Sequence, residues 1–259
     1  MPFLDLATHR LHYRIDGEPD RPWLLMSNSL GTDLHMWDTQ IAALSSQFRV
    51  LRYDQRGHGA SSAPPSPYSL AALAGDALTL LDALCIERAH FCGLSIGGLI
   101  GQWLAVHAGA RVSKLVVCAT AAKIGTAEGW QARIEQVRAH GLPPLAEATA
   151  QRWFTPAFNA TQANTVKSML ETFTAVSVDA YCGCCDALAH ADLRSELASV
   201  RMPVLTISGD DDPVCPPAEL QAIADGVADG RHVSLLGRHI VNLESPQKFD
   251  DAVRDFLLV

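Results

Sequence analysis

His90-Phe91-Cys92-Gly93-Leu94-Ser95-Ile96-Gly97-Gly98-Leu99-Ile100-Gly101 is the stretch around which the rest of the chain is organised. Residues 87–92 are a short, mostly apolar run with the length and composition of a buried strand. Residues 97–106 read as a helix rich in small residues. Between them Gly93-Leu94-Ser95-Ile96-Gly97 fits Gly-x-Ser-x-Gly, a tight strand-to-helix turn that pushes the serine hydroxyl out above a sheet. The glycines on either side remove Cβ atoms that would collide there, and the serine itself is expected in strained geometry. The helix N-terminus behind Ser95 offers unpaired N–H groups and a partial positive charge to an oxyanion forming at that spot. The five-residue pattern also fits a Gly-rich turn with an incidental serine. The strand before it, the small-residue helix after it and the partners downstream decide for a nucleophile.

Outward from this turn, strand and helix patterns alternate. Residues 3–6 and 9–15 read as an edge hairpin, 23–27 and 48–53 as strands, 36–47 and 69–84 as helices, with Ser69 as the cap of the second. Residues 112–118 form another apolar strand, after which the alternation stops. Helices are expected over 129–140, 145–154, 161–174 and 177–190. Alternation resumes with a strand at 204–208, a helix at 217–226, a strand at 232–236 and a helix at 246–258. Such alternation implies an α/β fold with a mostly parallel, doubly wound sheet. A helical block inserted after a central strand implies a lid over the carboxyl edge of that sheet, where ligands bind in open α/β folds. The expected division is a core over 1–120, a helical lid or cap over 121–194 and the rest of the core over 195–259.

Composition narrows the function. A 48% hydrophobic content over 259 residues supports a substantial core, and the formal charge of −8 without a Lys/Arg-rich run argues against nucleic acid or an anionic membrane as partner. No run of about 18 apolar residues spans a bilayer. The opening Met1-Pro2-Phe3-Leu4-Asp5 lacks a basic segment followed by an apolar one, so no signal peptide and a cytoplasmic location are expected. Seven cysteines suit reduced thiols, with Cys85, Cys92 and Cys118 expected to be buried. Cys182, Cys184 and Cys185 lack metal-ligand spacing and are read as packing residues.

A serine nucleophile needs a base and a group that orients the base. In the α/β-hydrolase arrangement the order along the chain is Ser, then Asp or Glu, then His. After the strand at 204–208 comes Gly209-Asp210-Asp211-Asp212-Pro213. Asp212 is the expected acid by its spacing from Gly209, with Asp210 as alternative and Asp210 and Asp211 read as a solvated turn. After the last strand comes Gly237-Arg238-His239-Ile240, and His239 is the expected base. His9, His12, His107 and His140 have no motif around them, while His58, in Arg56-Gly57-His58-Gly59, is expected to hold a loop near the site. The oxyanion hole is expected to combine the Ile96 N–H with the Leu30 N–H, from the loop Asn28-Ser29-Leu30-Gly31-Thr32.

With these residues placed, the chain resembles the α/β-hydrolase superfamily over its whole length, and within it the 3-oxoadipate enol-lactonases. The closer resemblance rests on Ser27-Asn28-Ser29-Leu30-Gly31-Thr32 with Met36-Trp37, on Gly141-Leu142-Pro143, and on Arg152-Trp153-Phe154-Thr155-Pro156. Cys184-Cys185 with Asp192-Leu193-Arg194, and His239-Ile240-Val241-Asn242-Leu243-Glu244, complete it. It implies a serine hydrolase acting through Ser95, Asp212 and His239 on a small anionic lactone, without metal or organic cofactor. The substrate carboxylate calls for a local cation, and the inserted segment offers Lys123, Arg133, Arg138, Arg152 and Lys167. Arg133, three residues from Trp130 on one helical face, is the expected anchor, with Trp130 and Trp153 as pocket walls or core. The alternatives are a broad carboxylesterase or cofactor-free perhydrolase, a carbon–carbon bond hydrolase, and a ligand-binding receptor that retains the fold. Haloalkane dehalogenase and epoxide hydrolase chemistry is disfavoured, since it places an Asp where this chain has Ser95.

Overall fold

Apolar, β-branched runs recur along the chain, and in the computed structural model, which describes residues 2–259, they pair into one sheet of eight strands. These are β1 (Phe3–Asp5), β2 (Arg10–Asp16), β3 (Trp23–Ser27), β4 (Arg49–Tyr53), β5 (Ala89–Leu94), β6 (Val112–Cys118), β7 (Val204–Gly209) and β8 (Gly230–Leu235). Their spatial order is β1-β2-β4-β3-β5-β6-β7-β8. β2 pairs antiparallel with β1 and β4, and every other pair is parallel. Strands β3, β5, β6 and β7 are mostly apolar along their length, as strands covered by helices on both faces of the sheet are. The chain runs from β3 outward to β4, then returns to place β5 on the other side of β3. That reversal opens a crevice at the carboxyl ends of β3 and β5, where Ser27 lies opposite Gly93. The loop after β3 and the turn after β5 therefore meet.

The helices of the core are α1 (Asp38–Leu44), α2 (Leu70–Ala83), α3 (Ile96–His107), then α9 (Pro217–Gly226), α10 (Val241–Glu244) and α11 (Pro246–Leu258). The Ser69 hydroxyl caps α2 by accepting the Ala72 N–H at 3.1 Å. Five helices intervene between β6 and β7: α4 (Ala127–His140), α5 (Ala146–Trp153), α6 (Pro156–Thr161), α7 (Ala163–Ala175) and α8 (Val178–His190). Three features differ from the sequence reading. Residues 36–47 do not form one helix, because a 3-10 turn over Leu34–Trp37, capped by Asp33, precedes α1. The helix expected at 161–174 is preceded by the separate α6, for which Thr155 is the cap and Pro156 the first residue, an arrangement proline favours. Cys85, expected to be buried, is exposed just past α2, in the left-handed region at φ +54°.

Four hydrogen bonds tie the inserted helices to the segment from Arg238 to Glu244, and a fifth holds that segment together. The Ile240 N–H donates to the Trp153 carbonyl at 3.1 Å, and the Arg238 guanidinium donates to the Gln151 carbonyl. Glu244 accepts from the Arg238 N–H at 2.7 Å and from the N–H and hydroxyl of Thr155 at 3.1 and 2.5 Å.

On the buried face of α11, Asp250 has an Oδ1 with no hydrogen-bond partner, and burial pushes its carboxyl up to about 6, with neighbouring Gln40 opposing the shift. Its folded value lies above the unfolded one, so the carboxylate costs stability as pH rises from about 4 through 6. Asp250→Asn is expected to raise Tm by a few degrees at pH 8 and to leave it unchanged at pH 4, as thermal melts at the two pH values would read.

Candidate active site

Ser95 stands at the carboxyl end of β5 with φ +58° and ψ −118°, a strained conformation for a residue with a side chain. The turn is fixed from both sides: the Ser95 N–H donates to the Cys118 carbonyl at 2.9 Å, and the Thr120 hydroxyl donates to the Ser95 carbonyl at 2.8 Å. A Cβ on Gly93 would collide with the Gly97 backbone, and one on Gly97 would collide with the Ser27 carbonyl of β3. Only glycine lets α3 start that close to two strands.

On the far side of the crevice, Asp212 follows β7 and His239 follows β8. The Asp212 Oδ2 and His239 Nδ1 are 2.9 Å apart, and both side chains are almost fully buried. The other Asp212 oxygen accepts the N–H groups of Val214 and Cys215 at 2.8 and 3.2 Å. An ionised carboxylate accepts only, so Nδ1 carries the proton and Nε2 is left with its lone pair. Asp210 is exposed but accepts the Gly237 N–H at 2.9 Å, and Asp211 pairs with Arg238 at 2.8 Å. Neither is a merely solvated turn residue; both brace the loop that carries His239.

The loop after β3 presents Leu30. Among the described residues no protein group accepts from the N–H of Leu30 or of Ile96, although Ile96 is fully buried. His58 lies under this loop with no exposure to solvent. Its Nδ1 is 3.1 Å from the Arg56 carbonyl, which can only accept, so Nε2 is the acceptor for the Gly31 N–H at 3.1 Å. Burial pushes its pKa down, keeping the ring neutral. His12, given no role from sequence, pairs with Asp54 at 2.7 Å. Asp54 in turn accepts the N–H groups of Leu34 and Ala60 at 2.7 and 2.9 Å, and so joins the two loops.

Ser95, His239 and Leu30 line one cavity of about 210 Å³, roofed by Trp130 and Arg133 of α4, Thr149, Arg152 and Trp153 of α5, Phe173 of α7 and Tyr181 of α8. Trp153 is both wall and core, with its ring 5.7 Å from that of Phe173. Of the five cations considered from sequence, Lys123 pairs with Asp192 and Lys167 with Glu171 at the surface, and Arg138 is exposed. Arg133 and Arg152 both face the cavity, and among the described residues neither has a carboxylate partner. One Arg133 terminal nitrogen is buried without any acceptor, and the Arg152 guanidinium donates to the Thr149 hydroxyl at 3.2 Å. Burial, then the charge of Arg133, lowers the Arg152 pKa. Two guanidiniums without carboxylate partners thus share one small cavity, an arrangement that can accept an anion. Arg152, Thr149, Phe173 and Tyr181 were not assigned to the site from sequence, because only the fold of the insertion turns them inward. Among the described residues no group of three or more metal-ligating side chains occurs, and no helix is long and apolar enough to cross a membrane.

A family model described as alpha/beta hydrolase fold matches residues 22–246. The chain is 46% identical to 3-oxoadipate enol-lactonase 2 of Acinetobacter baylyi over 243 residues, covering 94% of this chain and 91% of that protein. It is 41% identical to 3-oxoadipate enol-lactonase 1 of the same organism, over 92% and 90% of the two chains. The crystal structure of the enol-lactonase from Burkholderia xenovorans superposes with a TM-score of 0.98 at 43% identity, covering both chains completely.

Proposed function

The chain belongs to the alpha/beta hydrolase fold family, and from that premise we propose that it hydrolyses 3-oxoadipate enol-lactone to 3-oxoadipate, a step of the β-ketoadipate route of aromatic degradation. The observation that carries this reading is the shared cavity: Ser95 and the Asp212-bonded His239 open into the same small space as two guanidiniums without carboxylate partners. The relatives' names agree with it.

In this reading His239 Nε2 takes the Ser95 proton as the hydroxyl oxygen attacks the lactone carbonyl. The tetrahedral oxyanion accepts from the N–H groups of Leu30 and Ile96. Collapse breaks the ring C–O bond. The enolate oxygen leaves, takes the proton from the imidazolium, and the enol becomes a ketone. A water then gives its proton to His239 and attacks the acyl carbonyl, and Ser95 regains its proton as 3-oxoadipate departs. One water is consumed, and no metal or cofactor is called for. Residues 121–194 act as the cap over this chemistry, with Trp130 and Trp153 as walls and Arg133, joined by Arg152, holding the substrate carboxylate. Burial pushes the pKa of Tyr181 up, so its hydroxyl stays protonated beside them.

The direct test is loss of ultraviolet absorbance when purified protein meets freshly generated enol-lactone; no loss above the spontaneous rate ends the reading. Arg133→Met is expected to raise KM for the lactone roughly 10–100-fold, the worth of a hydrogen bond to a charged group. Turnover of a small neutral ester should be unchanged in the same variant. A broad carboxylesterase would show equal rates on neutral and anionic esters, and steady-state kinetics on both substrates tell the two apart.

A further inference from the structure

We propose that Thr32 and His58 are positioning residues that pre-aim the Leu30 N–H at the developing oxyanion by clamping the two peptide units on either side of Leu30. This rests on the reading of Leu30 as an oxyanion donor.

The peptide between Ser29 and Leu30 carries that N–H at one end and the Ser29 carbonyl at the other. In a trans peptide the two point in opposite directions. The Ser29 carbonyl accepts twice from Thr32: from its hydroxyl at 2.8 Å and from its N–H at 3.2 Å. Thr32 is almost fully buried, so this grip is not shared with bulk water. Holding the carbonyl fixes the plane and turns the Leu30 N–H to the other side. There Ser29, Leu30 and Ser95 line the cavity, and no protein group takes the proton. Hydrogen bonds onto a carbonyl also polarise the N–H of the same peptide, which strengthens it as a donor.

The next peptide, between Leu30 and Gly31, is held from its other end. Its N–H donates to His58 Nε2 at 3.1 Å, and the ring is itself anchored by the Arg56 carbonyl at 3.1 Å. Gly31 has φ +84°, and a Cβ there would lie 2.6 Å from the Phe173 ring, so only glycine lets the chain turn here against α7. With both planes pinned, Leu30 has little freedom to rotate its donor away. The grip uses a hydroxyl from within the loop and an imidazole from 27 residues away.

The experiment compares Thr32→Val, Thr32→Ser, His58→Leu and His58→Gln with the wild type. Labelling of Ser95 by a fluorophosphonate is measured first, then kcat and KM on the enol-lactone. An unlabelled wild type removes the nucleophile reading and the proposal with it. With labelling intact, Thr32→Val and His58→Leu are each expected to lower kcat about 10-fold or more, and together to approach the 10²–10³-fold loss typical of a missing oxyanion donor. KM should stay within about twofold of wild type, because the ground-state lactone makes little use of this donor. Phosphonylation rates should fall in parallel, while Thr32→Ser and His58→Gln, which keep the hydroxyl and an acceptor, recover most of kcat. A general structural role would lower thermal stability without that division between kcat and KM. The proposal is overturned by a wild-type kcat in both Thr32→Val and His58→Leu, or by KM rising as kcat falls. If His58→Leu does not fold, the Thr32→Val and Thr32→Ser pair decides alone.

Discussion

Ser95→Ala is expected to lower kcat on the enol-lactone by about 10⁵–10⁶-fold, the scale on which a serine hydrolase loses turnover without its nucleophile. The residue lies in the left-handed region at φ +58°, a position alanine occupies with the same strain, so the fold should be retained. Binding and the oxyanion donors would remain, but with no covalent path they supply only a small residual rate. The same position offers a stability readout independent of chemistry. Ser95→Gly removes the hydroxyl and also relieves the backbone, so it should be more stable than Ser95→Ala by about 1 kcal/mol. Paired absorbance assays and thermal melts check both statements. Retained turnover in Ser95→Ala would move the chemistry to another residue.

Asp212→Asn is expected to cost about 10⁴-fold in kcat with little change in KM. The reason is local. One carboxylate oxygen accepts the N–H groups of Val214 and Cys215, at 2.8 and 3.2 Å, so an amide at this position must turn its oxygen to them. Its NH₂ then faces His239 Nδ1, only 2.9 Å from the present oxygen position. Nδ1 would have to accept, which moves the ring proton to Nε2 and leaves no lone pair for the Ser95 proton. Asp212→Glu should not rescue, since the longer side chain cannot meet both N–H groups and the ring. A kinetic comparison of the two variants, with the melting curves of each, tests the tautomer argument.

Much of this centre was legible before any coordinates, because its information is local. A glycine two residues either side of Ser95 announces close backbone approach, and the structure shows both close approaches. Asp212 and His239 each follow a recognisable strand within a few residues, and parallel pairing brings the carboxyl ends of β5, β7 and β8 to one edge of the sheet. What escaped notice depends on partners far apart in the chain. His58 reads from sequence as holding a loop near the site, and it does, but nothing near it or Gly31 names the two as partners. Nothing near Gln40 predicts its donation to the Asn242 carbonyl, 202 residues on. Of the five cations in the insertion, sequence singles out Arg133, and only the folding of α5 turns Arg152 inward beside it. The separate α6 was not read from sequence because Pro156–Thr161 holds Phe, Asn and Thr, weak helix formers, with only Thr155-Pro156 to mark a start.

The bonds that join α5 and Thr155 to the segment around His239 have a mechanical consequence. Trp153, Gln151 and Thr155 belong to the roof, whereas Arg238, Ile240 and Glu244 flank His239, and the two sets are stitched edge to edge. Lifting the roof along that seam would drag the imidazole out of alignment, so an opened seam and a poised base exclude each other. Under the proposed function, lactone would enter and product leave by the unstitched margin, with His239 held still as they pass.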